Sequence, residues 1–153
     1  MNRLKYFIAV IFFPLFLWNA AGCEGKPREA ADAKADRVYL AASDDERIAQ
    51  AFQNKLTGIL VQSSGKVEKI LPDDQETPRH QKFIIRLSSG QTLLINHNID
   101  LAPRLNDLKP GDTIIFRGEY LWNRYGGAVH WTHHDPQKKH PEGWIEWNGR
   151  RYE

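Results

Sequence analysis

The stretch Phe83-Ile84-Ile85-Arg86-Leu87-Ser88-Ser89-Gly90-Gln91-Thr92-Leu93-Leu94-Ile95 decides the fold class. Two runs rich in β-branched and aliphatic residues flank a Ser-Ser-Gly turn, the pattern of an antiparallel hairpin. Working outward, Ile59 to Leu71 reads as a first strand, bent near Ser63-Ser64-Gly65. Lys109-Pro110-Gly111-Asp112 is a strong turn. Thr113 to Trp122 then forms a strand, and Gly126-Gly127 turns into a strand from Ala128 to His133. Pro103 to Leu108 is expected to form a short helical turn, and Trp144 to Tyr152 a terminal hairpin around Asn148-Gly149.

Upstream the period changes. Ser43-Asp44-Asp45-Glu46 fits a capping box, in which serine and glutamate satisfy each other's backbone amides. Ile48, Phe52 and Leu56 recur at spacing four and predict an amphipathic helix over residues 44–55. The fold expected is mainly β: a small five-stranded OB-like barrel preceded by one amphipathic helix. A small sandwich or roll is the competing architecture.

The beginning of the chain reads differently. Arg3 and Lys5, the apolar run Tyr6 to Trp18 and the small residues Ala20-Ala21-Gly22 make the three parts of a secretory signal over residues 1–22. Cys23 is the only cysteine, so it cannot staple the fold. Its position after Ala20-Ala21-Gly22 resembles a lipobox, with Ala20 where leucine is usual. Lipidation at Cys23 is the expectation, and cleavage by ordinary signal peptidase the alternative. Glu24 after the anchor leans toward the outer membrane. Residues 23–42 then serve as anchor and tether, and residues 43–153 as the folded domain, facing the periplasm.

Charge limits the partners. Arg3 and Lys5 are the only charged residues among the first 22, so 19 of the 21 basic side chains remain afterwards against all 19 acidic ones. That balance argues against non-specific nucleic-acid binding, which needs a basic surplus. The partners expected are the membrane, through the lipid anchor, and an envelope ligand or protein.

All six histidines follow residue 79. Neutral imidazole is the commonest metal ligand, and several histidines with a carboxylate can bind zinc or copper. The candidate ligands are His80, His97, Asp100, His130, His133, His134 and Asp135. The hairpin brings residue 80 back toward residues 97–99 and is expected to put His80 and His97 on one face. Strand alternation groups His130, Thr132 and His134 against Trp131, His133 and Asp135. The spacing matches no known metalloprotease, and histidines beside proline turns also serve to fix loops. Asp73-Asp74 after Pro72 is read as turn chemistry rather than a carboxylate pair. Arg104, Tyr120, Trp122 and Trp131 are candidate ligand contacts, the arginine for an anion and the aromatics for stacking.

The motifs His97-Asn98-Ile99-Asp100-Leu101-Ala102-Pro103-Arg104 and His130-Trp131-Thr132-His133-His134-Asp135-Pro136 occur in that order. Leu71-Pro72-Asp73-Asp74 and Gly118-Glu119-Tyr120-Leu121-Trp122-Asn123 accompany them. Over residues 57–153 the chain resembles a bacterial family described as a domain of unknown function, whose members are short, exported and related to OB-type barrels. The resemblance implies fold and location and carries no catalytic residues. The function expected is a cell-envelope ligand- or partner-binding domain without a catalytic signature. The alternatives are a metal-dependent hydrolase (nuclease or phosphodiesterase) and a transition-metal-binding protein using the histidines.

Overall fold

The computed structural model describes residues 44–153. The expected signal sequence, Cys23, the tether and the Ser43 cap lie outside the described residues. Helix α1 spans residues 44–53. Seven strands follow: β1 (Ile59–Ile70), β2 (His80–Arg86), β3 (Thr92–Asn98), β4 (Thr113–Leu121), β5 (Ala128–His130), β6 (Trp144–Trp147) and β7 (Arg150–Tyr152).

The strands run β1-β2-β3-β5-β4 in space, and β1 pairs back onto β4, so five strands close a barrel. The β3–β5 pair is parallel and the other pairings are antiparallel. This is the order of an OB-type barrel, and it removes the sheet edges that an open sheet of this size would expose. β1 serves both sides of the closure: residues 59–66 pair β4 and residues 66–70 pair β2. The β1–β2 register shifts between Val67 and Lys69, and Gly65, just before β1 passes to its second partner, has no room for a side chain, since an added Cβ would lie 2.8 Å from Ile85 Cδ1. The β6–β7 hairpin extends the sheet from β4.

Alternation builds the core. Val61, Val67, Phe83, Ile85, Leu93, Ile95, Ile114, Phe116, Tyr120, Val129 and Ile145 all point inward and are buried. Each such aliphatic or aromatic side chain contributes about 1.5–3 kcal/mol by leaving water.

The helix closes one side of the barrel through Ile48 and Ala51. It ends earlier than its apolar spacing predicts. Lys55 takes φ 53° and Leu56 N–H donates to Ala51 O at 2.9 Å, a left-handed C-terminal cap. Leu56 therefore lies beyond the helix and is exposed. The acidic start of α1 reaches into the barrel wall. Asp44 accepts the Gln62 amide at 2.7 Å, and Asp45 accepts the hydroxyls of Ser63 and Ser88, the latter at 2.6 Å. Trp122 Nε1 donates to Phe52 O at 3.1 Å and fixes the other end.

The connection from β3 to β4 is a series of turns rather than the expected helical turn at residues 103–108. Two inward polar side chains hold it. Gln81 and His97 are cross-strand partners on β2 and β3. The Gln81 amide donates to Leu105 O and accepts from Leu105 N, both at 2.9 Å. His97 Nε2 lies 3.1 Å from Pro103 O. Leu105 and Leu108 supply the apolar plug at that end. Side-chain clamps thus replace helical hydrogen bonds in this segment.

Candidate functional site

The outward faces of β2, β3 and β5 carry His80, Asn98 and His130 at one end. The segment after β5 folds back over them and leaves a groove of about 430 Å³. Its lining includes His80, Asn98, His130, Trp131, His133 and His140.

Backbone conformation makes the cover. β5 ends at His130, not His133, because Trp131 takes φ 58°. A bulky residue in the left-handed region costs about 1–3 kcal/mol, and such strain collects at ligand sites. The kink breaks the expected alternation. Thr132 turns into the barrel and His133 is also buried, while Trp131 is 37 % exposed. The indole stacks edge-on with His140 at 3.7 Å between centroids, and His140 meets His133 at 5.0 Å.

Asp135 organises the loop from within. Its carboxylate accepts the backbone N–H groups of Gln137 and His140, each at 2.9 Å, and that of Lys139. Burial pushes the carboxyl up, but the amides of His140, Gln137 and Lys139 outweigh it and hold it below the usual carboxylate range. Gly143 locks the far end, donating to His133 O at 3.1 Å. A Cβ there would sit 1.9 Å from Trp131 O.

The hydrogen bonds fix the imidazole tautomers. The Asn96 amide nitrogen donates to His130 Nε2 at 2.9 Å, which leaves the His130 proton on Nδ1. His133 Nδ1 donates to His134 O at 2.7 Å, which leaves its Nε2 as an acceptor. His140 Nδ1 donates to Pro141 O at 2.9 Å, and its Nε2 faces Asp135 Oδ2 at 3.7 Å. Burial lowers the pKa of both His130 and His133. His80 Nδ1 donates to Asp74 at 3.0 Å, and Lys82 bonds the other oxygen of the same carboxylate at 2.5 Å. Those two partners hold the Asp74 carboxyl below its ordinary range.

The remaining candidates are dispersed. His97 does not share a face with His80. The register pairs His80 with Asn98 and Gln81 with His97, so His97 points into the barrel and is fully buried. A one-residue shift in pairing is sufficient to reverse the face. Asp100 pairs with Arg79 at 2.6 Å, and His134 with Glu142 at 3.0 Å. Among the described residues, no three His, Cys, Asp or Glu side chains are placed to hold one metal ion. Arg104 is bonded to Asp73 at 2.8 Å. Tyr120 is a core residue whose hydroxyl donates to Gly126 O at 3.2 Å, and Trp122 braces α1. Of the four ligand-contact candidates, Trp131 alone lines the groove. His140, Asn98 and Lys139 join it from outside the predicted set. His140 stands apart from the motif histidines in sequence, and only the folding back of its loop brings it there.

The family model described as "Protein of unknown function (DUF3465)" matches residues 33–153, and the chain belongs to that family. No curated protein matches the chain.

Proposed function

We propose that this member of the family is an exported, periplasm-facing binding module, lipid-anchored at Cys23 in the outer membrane, that holds a ligand in the histidine groove. The observation that carries the reading is the groove itself: a cleft of about 430 Å³, within the size range of small-molecule sites. Its imidazoles are fixed in defined tautomers, and a strained Trp131 stands at its rim. Rigid donors and acceptors beside an aromatic edge suit recognition. Export rests on the basic, apolar and small-residue blocks of residues 1–22.

The groove is tested by NMR titration of the protein with a library of monosaccharides, nucleosides and amino acids. Ligands are expected to shift the Trp131 indole N–H and the His130 and His133 ring signals. Trp131→Ala and His130→Ala are each expected to weaken binding about tenfold, the scale of one lost stacking or hydrogen-bond contact. A folded protein in which no compound moves those signals overturns the assignment. Export and lipidation are tested in cells: labelled palmitate should enter the protein and be absent from Cys23→Ser, and an unlabelled wild-type protein removes the anchor.

A further inference from the structure

A second cleft, of about 270 Å³, lies on the same face of the barrel, lined by Leu71, Ile84, Leu94, Asn123, Tyr125 and Gly127. Ile84 and Leu94 are cross-strand partners, as are Lys82 and Asn96, and His80 and Asn98. Residues two apart share a strand face, so the three pairs form one outward track. Its ends are four residues apart along β2, roughly 14 Å at the usual strand rise. The histidine groove and the Tyr125 cleft are therefore two ends of one surface.

We propose that this surface binds an uncharged oligosaccharide, with one end in the histidine groove and the other beside Tyr125. The inference rests on the groove being a binding site and adds the class and length of its ligand. Sugars alternate apolar C–H faces with hydroxyl edges. The track alternates in the same way. Trp131 and Tyr125, 37 % and 71 % exposed, stand at the two ends, with Ile84, Leu94 and Leu71 beside the tyrosine. Asp74, Lys82 and Asn98 lie between, offering carboxylate, ammonium and amide partners to hydroxyl groups.

Charge selects against a polyanion. Lys82 is paired with Asp74, Arg79 with Asp100 and Arg104 with Asp73. Lys139 adds a cation at the groove end, Arg124 and Lys69 (opposite Ile84) add two at the other, and Asp135 and Glu119 (opposite His130) add two anions. The Arg124 guanidinium lies over one face of the Tyr125 ring, 4.8 Å from its centroid. The track is close to balanced, whereas a single-stranded nucleic acid needs a cationic path for successive phosphates.

The experiment is calorimetric titration of the full chain in mild detergent with N-acetylglucosamine and glucose oligomers, from disaccharide to hexasaccharide. A single-stranded oligothymidylate is titrated in parallel at low and high salt. Affinity for one sugar series is expected to rise at least tenfold with length and then level off. Tyr125→Ala is expected to abolish that gain while leaving the disaccharide unchanged, and Trp131→Ala to weaken every length. Affinity independent of length, or indifferent to Tyr125→Ala, overturns the two-ended track while the groove assignment survives. No sugar binding at any length, with small molecules still shifting the groove signals, overturns the oligosaccharide and spares the groove. Salt-sensitive oligothymidylate binding tighter than any sugar overturns the proposal in favour of nucleic acid.

Discussion

His97 and Thr132 meet inside the barrel, 2.8 Å apart. Pro103 O can only accept, so His97 Nε2 carries the proton and Nδ1 accepts from the Thr132 hydroxyl. The ring ties the β3–β4 connection to the segment that covers the groove, and it does so as a neutral imidazole. Burial is the main cause that lowers its pKa from 6.5 to about 4. Above pH 6.5 both the folded and the unfolded chain carry the neutral form, and the shift has no effect on stability. Below it the unfolded chain takes up a proton that the folded chain refuses until about pH 4. Stability should therefore fall across that window, by on the order of 3 kcal/mol from this ring. Half-buried His130 and buried His133 shift in the same direction and add to the loss. Urea denaturation at pH 7.5 and 4.5 checks this, and His97→Gln should flatten the pH dependence.

Gln81 forms both backbone bonds of Leu105. Gln81→Leu keeps the volume near constant and leaves a buried N–H and C=O unpaired. The expected cost is about 2–4 kcal/mol, seen as a lower urea midpoint with an unchanged slope. The slope matters because a change there would mean a looser native state instead.

Gly143 has no room for a side chain, since both Trp131 O and Arg117 O lie within 2.6 Å of a built Cβ. Backbone atoms cannot swing aside as a side-chain tip can. Gly143→Ala should displace the cover of the groove and destabilise the protein by about 3 kcal/mol or more, as backbone strain in a packed site does. Thermal unfolding measures the loss, and the Trp131 indole signal reports the displacement.

Asp45 links α1 to β1 and to the β2–β3 turn through Ser63 and Ser88. Asp45→Ala leaves two hydroxyls without their acceptor and should cost about 1.5–3 kcal/mol, the range for bonds to a charged group. Hydrogen exchange of α1 amides should quicken more than that of β3 amides, because the helix loses one of its attachments while the barrel keeps its ladder.

The barrel was legible because its strands alternate and break at glycine and proline. The Phe83–Ile95 hairpin, the Lys109–Asp112 turn and the Asn148-Gly149 hairpin stand where the pattern puts them. The site was only half legible, for three local reasons. The Leu87–Gln91 turn, with Leu87 N–H donating to Gln91 O at 2.9 Å, sets the pairing sum of the hairpin, and that sum sends His80 outward and His97 inward. No residue type near the turn announces that choice. The left-handed Trp131 then ends β5 and breaks the alternation after it, so that Thr132 and His133 are both buried, although nothing about a tryptophan predicts positive φ. His140 was invisible for a third reason, since its place depends on amides converging on Asp135 across a loop without periodicity.

That convergence has a bearing on what can enter the groove. Three amide hydrogens aimed at one point make a seat of the sort that captures phosphate or carboxylate guests. Here the protein has filled the seat with its own Asp135. An incoming anion would meet a negative oxygen where it would otherwise have found welcoming hydrogens, so the loop behaves as an anion receptor permanently satisfied from within.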